Sequence, residues 1–379
     1  MAEKRSIFEE VGTDSKPQEA PRGGVIDSAK RGSRGAIRAW LTVLFALVVA
    51  MIVVGGLTRL TDSGLSITEW RPVTGALPPM SAEAWEAEFE KYRAIPEYQL
   101  QNEGMSLEEF KFIYWWEWGH RQLGRIVGLI WAAGFLFFYA TKRIPTGWTG
   151  RLIFPGALGG IQGAIGWWMV SSGLGGEMLD VASYRLAVHL GLAFVILGVL
   201  AWYIMMLGRS EADLMQARRS KEQRLFSLGS GLMHLAFLQI LIGALVAGID
   251  AGRTFNEWPL MAGQIFPPAA FDLAPAWRNF FESAGLVQFM HRVVGYLLLA
   301  FAVFVWLRAR RSALAQTRFA FNLVFAMMVL QMILGIMTIL YIAPLGLAIL
   351  HQIGAVAMFV LILRARFLAQ YPISQSVRG

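Results

Sequence analysis

The sequence predicts an all-α integral membrane protein whose eight transmembrane helices form two tandem four-helix bundles related by a parallel pseudo-twofold repeat. Three observations predict this fold: eight long apolar segments, an uneven placement of Lys and Arg, and a repeat of short motifs between the halves. Of the 379 residues, 56% are hydrophobic and 16% are charged, whereas a soluble domain carries about 25% charged residues. The chain therefore has too little polar surface to face water on every side.

Each apolar segment is long enough to cross a bilayer, because about 20 helical residues span the hydrocarbon core. The Glu-rich stretch 61–117 lies between the first two segments, and we expect it to form short helices on the outer face. The predicted spans are at about 40–60, 118–140, 152–173, 185–207, 225–248, 284–307, 319–341 and 346–363.

The Lys and Arg residues between the spans lie mostly on one side of the predicted membrane. The tails and the loops after spans 2, 4 and 6 hold 23 of them, whereas the loops 61–117 and 250–283 hold six. By the positive-inside rule, both termini are expected to be cytoplasmic. The net charge of +8 then reflects topology, and it predicts contact with membrane lipid and no nucleic-acid partner.

Composition also divides the chain into five parts. The N-terminal tail is rich in Gly, Ser and charge, and we expect it to be disordered. The chain has no cysteine, which excludes disulfides and thiolate-held metal clusters. The predicted parts are a cytoplasmic tail 1–39, a first half 40–207, a cytoplasmic linker 208–224, a second half 225–363 and a cytoplasmic tail 364–379.

Short motifs occupy the same places in the two halves. Because each half has an even number of spans, the repeats are expected to have the same orientation in the membrane. The matching residues are Asp62, Gly64, Glu69 and Trp70 with Asp250, Gly252, Glu257 and Trp258 after spans 1 and 5; His120, Arg121 and Gly124 with His291, Arg292 and Gly295 in spans 2 and 6; and Gln162 and Gly166 with Gln331 and Gly335 in spans 3 and 7.

Four of the five histidines sit at repeat-equivalent positions, one in each even-numbered span: His120, His189, His291 and His351. Helical rise places their rings roughly 20 to 33 Å above the inner face, toward the outer leaflet. An unpaired imidazole in hydrocarbon is costly, and two imidazoles on opposite faces of a heme iron would remove that cost. The alternative is that each histidine bonds a neighbouring helix. A zinc site is less favoured because no three-ligand cluster is apparent, and we expect the fifth histidine, His234, to be structural.

Small and basic residues accompany the histidines. Gly124 and Gly295 lie one helical turn below His120 and His291, where a missing side chain admits a flat ring or a neighbouring helix. Four arginines near the outer level are candidate partners for heme propionates, with snorkelling to the interface as the alternative. They are Arg121, Arg125, Arg185 and Arg292.

The two halves differ beside the first histidine of each pair. Glu117 precedes His120 by three residues, whereas Gln288 precedes His291 by three. Positions i and i+3 share a helix face, so each side chain is expected in the same pocket as its histidine. A carboxylate in such a pocket can transfer protons or stabilise positive charge, which suggests chemistry in the first half. The alternative is that Glu117 ends the acidic loop and faces water.

Six segments together are specific for one protein family, although each of them alone is a weak signal. They are Glu117-Trp-Gly-His120-Arg121, the Asp62/Gly64/Glu69/Trp70 loop, Tyr184-Arg185 with His189, Gly243-Ala-Leu-Val-Ala-Gly248 leading to Asp250, Gln288-Phe-Met-His291-Arg292 and His351-Gln352. Over about residues 40–363 the chain resembles the heme A synthase family. The absence of cysteine resembles the α-proteobacterial and mitochondrial branch, and it leaves open how electrons leave the site.

The resemblance implies an oxidoreductase of the bacterial inner membrane that oxidises the C8 methyl of heme O to a formyl group, making heme A for cytochrome oxidase. It implies that His120 and His189 hold the substrate heme O and that His291 and His351 hold a resident heme b. Glu117 would be the catalytic carboxylate. The electron acceptor is unknown, and a heme O synthase partner and a homo-oligomer stay open.

Two other function classes compete with this interpretation. A membrane b-type cytochrome with bis-histidine hemes could carry electrons to or from quinone, although all four histidines lie toward one side. A transporter would be expected to have broken helices and charged residues at the midplane. The segments at that depth contain mainly Gln162, Gln239, Gln331 and His234, so this reading is weak.

Overall fold

The computed structural model describes residues 31–175 and 179–373, and within these residues its regular elements are helices. Three short 3₁₀ turns interrupt the outer loops, at Thr74–Ala76, Ala251–Arg253 and Ala276–Arg278. The α-helices are α1 (Arg31–Leu60), α2 (Ala82–Arg93), α3 (Pro96–Leu100), α4 (Leu107–Ala140), α5 (Thr149–Val170), α6 (Ser183–Leu207), α7 (Glu211–Arg219), α8 (Gln223–Gly248), α9 (Asn279–Glu282), α10 (Ala284–Ala309), α11 (Ala315–Leu340) and α12 (Leu345–Gln370).

Seven helices of the described chain are long and apolar enough to cross a membrane, namely α1, α4, α6, α8, α10, α11 and α12. The predicted all-helical membrane protein is therefore confirmed at this level. The expected third span corresponds to α5, a helix of 22 residues, which does not belong to that set. The count of eight spans stays a prediction.

Several helices extend beyond the predicted spans, because charged residues end an apolar segment without ending a helix. Helix α4 begins at Leu107, eleven residues before the predicted span, and Ser106 starts it with a capping box to Glu109. Helix α12 runs on through the predicted tail to Gln370. Helix α1 begins at Arg31, so the predicted disorder is wrong for residues 31–39, while residues 1–30 lie outside the described chain.

The long helices pack in two rings of four. Helix α1 contacts α4 and α6, and α5 contacts the same two helices. Likewise α8 contacts α10 and α12, and α11 contacts the same two. The rings meet where α6 packs on α8 and α12, and where α12 packs on α1. One bond of this contact joins Gln352 Nε2 to the carbonyl of Ile52 at 2.5 Å.

The outer loop between α1 and α4 has its own apolar core. Phe89 on α2 stacks on Phe110 of α4 with ring centroids 4.8 Å apart, and Tyr92 also contacts Phe110. These three side chains are fully buried. The expectation of short helices in 61–117 is thus confirmed, and the loop is packed against the end of α4.

Helices α1 and α8 end in the same way. Asp62 and Asp250 each follow their helix with φ of 49°, a left-handed conformation that Asp and Asn tolerate better than most side chains. The carboxylates of both residues bond Arg59, at 2.7 and 2.8 Å, and Asp180 completes the cluster at 3.3 Å. Arg59 therefore ties together three chain segments at the outer ends of the helices.

Candidate functional site

Each of the four predicted ligand histidines faces a glycine on a neighbouring helix. A Cβ atom placed on that glycine would lie 2.9 to 3.1 Å from the imidazole, closer than ordinary side-chain contacts. The histidines are half-buried, as expected for side chains that line a cleft between helices. The facing pairs are His120 with Gly55, His189 with Gly166, His291 with Gly243 and His351 with Gly335.

Three of these histidines also contact a glutamine side chain, which lies one turn before the facing glycine. The Nε2 amides of Gln162, Gln239 and Gln331 donate to the backbone carbonyl of their histidine at 3.0, 2.9 and 2.7 Å. Each also lies within 3.3 Å of a ring nitrogen. The Oε1 atoms of all three are buried without a partner, so a bound group or water would supply the missing donors.

The rings of His291 and His351 face each other across the second half, with centroids 6.4 Å apart and planes at 75°. With metal–imidazole bonds of about 2 Å and a ring radius of about 1.1 Å, two imidazoles on opposite sides of one metal would have centroids roughly 6.3 Å apart. The observed separation fits this arrangement. In the first half, His120 lies on α4 and His189 on α6, and both helices contact α1 and α5.

Glu117 is buried, with 3% of its surface exposed, and it does not face water. Its Oε2 accepts hydrogen bonds from Ser66 Oγ and the Ile67 amide, each at 2.7 Å. Its Oε1 accepts two from Arg121, at 3.0 and 2.5 Å. Four donors thus converge on two oxygens, an arrangement that suits a carboxylate and leaves no place for an amide NH₂.

Gln288 occupies the equivalent place in the second half. It differs from Glu117 because one end of its side chain donates hydrogen bonds where the carboxylate accepts them. Its Nε2 donates to the carbonyls of Ala251 and Phe255 at 2.9 and 3.1 Å, and its Oε1 accepts from Arg292 at 3.1 Å. The surrounding loop therefore offers acceptors to Gln288 where it offers donors to Glu117. The contrast between the halves is built into the loop backbones as well as the side chains.

The candidate propionate partners Arg121 and Arg292 contact the outer loops. Arg121 donates to the carbonyls of Ile67 and Glu69 at 2.8 and 3.1 Å. Arg292 donates to the carbonyl of Leu260 at 3.0 Å. Each guanidinium therefore holds a loop over the helix that carries its histidine, and binding to propionates stays a prediction.

Arg125 and Arg185 also contact backbone carbonyls near the outer level. Arg125 donates to Pro72 and Arg71 at 2.9 and 3.0 Å. Arg185 donates to the carbonyl of Trp168 at 2.6 Å and lies 4.6 Å over the ring of that residue. The Nε of Arg185 is buried without a partner, so one of its donors is available to an anion.

Gly124 and Gly295, one turn after the first histidine of each pair, face a neighbouring helix of the same ring. This helix is α1 for Gly124 and α8 for Gly295. A Cβ on Gly124 would meet Met51 at 3.8 Å, and one on Gly295 would meet Gln239 at 3.3 Å. Both interpretations of these glycines, ring approach and helix packing, remain compatible with this placement.

The Nδ1 of His234 lies 2.8 Å from the carbonyl of Ser230, one turn earlier on α8, consistent with a local structural contact.

A buried carboxyl group lies in the outer loop near the Arg59 cluster. Glu97 on α3 is 3% exposed, and its Oε2 has no partner. Burial, with the neighbouring negative charge of Asp180, raises the pKa of Glu97 to about 8, and Arg59 opposes the rise. This carboxyl is therefore expected to hold its proton at neutral pH.

Sequence reasoning missed the roles of Gly55, Gly243 and Gln239, and it missed the Arg59 cluster. One signal could have found Gly243 and Gln239. Gln239 and Gly243 have the same spacing as the recognised pairs Gln162/Gly166 and Gln331/Gly335. Residues four apart lie on one helix face, so this pair could have been assigned to a histidine as well.

Comparison with known proteins places the chain in a family. Residues 38–363 match the family model of COX15-CtaA, described as cytochrome oxidase assembly protein. The chain is 68% identical to the heme A synthase of Ruegeria sp. (strain TM1040), over 99% of each chain, and 68% identical to that of Ruegeria pomeroyi over all of both chains. It is 62% identical to the heme A synthase of Paracoccus denitrificans, over 99% of each. The chain therefore belongs to the COX15-CtaA family.

Proposed function

We propose that this chain is a heme A synthase, an oxidoreductase that converts the C8 methyl of heme O to a formyl group for use by cytochrome oxidase. Relatives of that name match it over nearly their full length. The observation in the fold that carries the proposal is the pair His291 and His351, with ring centroids 6.4 Å apart.

The proposed architecture is two four-helix halves with eight spans and both termini on the cytoplasmic side. The two rings of helices have the same order of contacts, and α1 and α8 have the same left-handed Asp at their ends. Lys and Arg residues outside the spans concentrate on one side. These features support the parallel repeat and the cytoplasmic position of both termini.

The second half is proposed to hold a resident heme b between His291 and His351, with Arg292 and Gly295 beside it. The separation of the two imidazoles, which suits one metal between them, supports a bound group here. When bound, heme b would supply one-electron redox chemistry. The protein's part is to fix both imidazoles and to exclude water from the pocket.

The first half is proposed to hold heme O as substrate between His120 and His189. Gly124, Arg121, Arg125 and Arg185 would line its edge, with the arginines as candidate propionate partners. The carboxylate of Glu117, one turn from His120, lies beside this site and forms an ion pair with Arg121. A carboxylate fixed near the substrate can stabilise positive charge that develops during oxidation. The four donors that hold Glu117 keep it in place without reorganisation.

The test is to express the protein in cells supplied with heme O, purify it and extract the hemes. Heme A in the extract is expected, and His120→Ala should remove it while leaving heme b bound. Recovery of heme b alone from the unaltered protein would contradict the proposal and favour the alternative, a bis-histidine b-type cytochrome. The cells supply the electron acceptor and deliver heme O, by a synthase partner or from lipid, so the outcome can be read without identifying either.

A further inference from the structure

The four odd-numbered spans of the proposed architecture share one pattern, in which a residue four positions before a histidine-facing glycine points at the same pocket. In three helices this residue is glutamine, and in α1 it is methionine. The pattern is Met51 with Gly55, Gln162 with Gly166, Gln239 with Gly243 and Gln331 with Gly335. Helix α1, which has methionine where the other three helices have glutamine, lies in the first half, beside His120.

Gln239 holds His291 at two places. Its Nε2 donates to the backbone carbonyl of His291 at 2.9 Å and lies 3.1 and 3.2 Å from the two ring nitrogens. The near-equal distances to the two ring nitrogens place the amide over the flat face of the imidazole, because an N–H···N hydrogen bond in the plane of the ring could reach only one of them. The amide is therefore fixed by the backbone, and the ring cannot turn without displacing it.

Met51 takes the place of Gln239 in the first half. A Cβ on Gly124 would meet Met51 Cε, just as a Cβ on the equivalent Gly295 would meet Gln239 Nε2. Methionine is flexible and apolar, and its thioether is at most a weak hydrogen-bond acceptor with no N–H to donate. Within residues 31–175 and 179–373, the close approach of a glutamine amide to the ring of each of the other three histidines has no counterpart at His120.

We infer that Gln239 and Met51 are positioning residues that make one porphyrin site resident and the other exchangeable. The inference rests on the proposed function, in which the second half keeps heme b and the first half must release its product. An imidazole braced by an amide stays aligned with its metal, so its porphyrin leaves slowly. An imidazole beside a flexible thioether can turn away, which lets the porphyrin in that site exchange.

The experiment exchanges the two residues in the full-length protein, purified with its hemes. Gln239→Met should release heme b faster to excess apomyoglobin, by about twofold to tenfold, the range expected for one buried hydrogen bond. Met51→Gln should slow the release of heme A from the first site by a similar factor. The midpoint potential and the low-spin EPR signal of heme b should shift in Gln239→Met, because both report imidazole orientation.

Met51→Leu is the matched control, since it keeps an apolar side chain and adds no amide, and it should slow the release of heme A much less than Met51→Gln does. Unchanged heme b release and an unchanged EPR signal in Gln239→Met would overturn the inference. If Gln239→Met does not fold, Met51→Gln provides the test, and an unchanged rate of heme A release in that variant would also overturn the inference. A protein whose heme b survives His291→Ala would instead refute the proposed function, so the two failures are distinguishable.

Discussion

Replacing Glu117 with Gln tests whether the buried carboxylate acts in catalysis. The change keeps the size of the side chain but turns one acceptor oxygen into an NH₂ donor. Because two donors approach each oxygen of Glu117, the NH₂ must meet either Arg121 or the pair formed by Ser66 and Ile67. The side chain can satisfy only one of these partners.

The size of the effect follows from the bonds that are lost. If the amide oxygen stays with Arg121, the Ser66 hydroxyl can turn to the carbonyl of Ser63, which already lies 3.1 Å away. The Ile67 amide then loses its acceptor and faces another donor. Losing a hydrogen bond to a charged group and leaving a buried N–H unpaired costs roughly 2–4 kcal/mol. Glu117→Gln should therefore lower the thermal stability of the outer loop as well as abolish conversion of heme O.

The assay combines heme extraction with thermal unfolding of the detergent-solubilised protein. We expect Glu117→Gln to retain bound heme and to yield no heme A. Ser66→Ala is the matched control, because it removes one of the same bonds and keeps the carboxylate, so it should lose stability but still make heme A. Full conversion by Glu117→Gln would refute the catalytic role. Equal loss of conversion in Ser66→Ala would show that the carboxylate acts only by anchoring the loop.

Other substitutions test the remaining parts of the site. His291→Ala removes one ring of the 6.4 Å pair and should abolish heme b binding; an unchanged visible spectrum would exclude a ligand role. Burial raises the pKa of Glu97 from 4.5 to about 8, so between these two pH values the carboxyl group ionises only in the unfolded state. The free energy of unfolding therefore falls by up to about 1.4 kcal/mol for each pH unit. Glu97→Gln should therefore gain melting temperature over the unaltered protein as pH rises from 5 to 8, and a constant difference would contradict this. Arg59→Met leaves three aspartates, each 37–40% exposed, without their cation. Solvent screening limits the expected loss to about 1–3 kcal/mol, measured as a lower melting temperature, and no change would mean that water satisfies the cluster.

Local patterns predicted the helical membrane fold, because apolar segments of sufficient length mark membrane helices, and the same spacing singled out four histidines whose ligand role stays a prediction. The Gln-x-x-x-Gly motif placed Gln162 and Gly166 on one face, and that face meets His189. Helix ends were predicted less well. Charges mark where an apolar segment stops, whereas capping and packing decide where the helix stops, as Ser106 does at α4.

Contacts between distant segments could not be predicted from spacing. Sequence gave no reason to join Arg59 with Asp180 and Asp250, since their meeting depends on how three loops fold over the helix ends. The same holds for the partners of Glu117, because Ser66 and Ile67 approach it from the preceding loop. The contrast with Gln288 was visible in the sequence, but the matching change in the loop backbone was not.

The hydrogen bond from Gln352 to the carbonyl of Ile52 joins a helix of one candidate porphyrin site to a helix of the other. Gln352 follows His351 in the chain, and its side chain lies so close to Gly56 that a Cβ there would have to displace it. Gly56 in turn follows Gly55, the residue that backs His120. The helix that carries His351 is therefore packed directly against the glycine pair beside His120, so the two candidate sites share a wall.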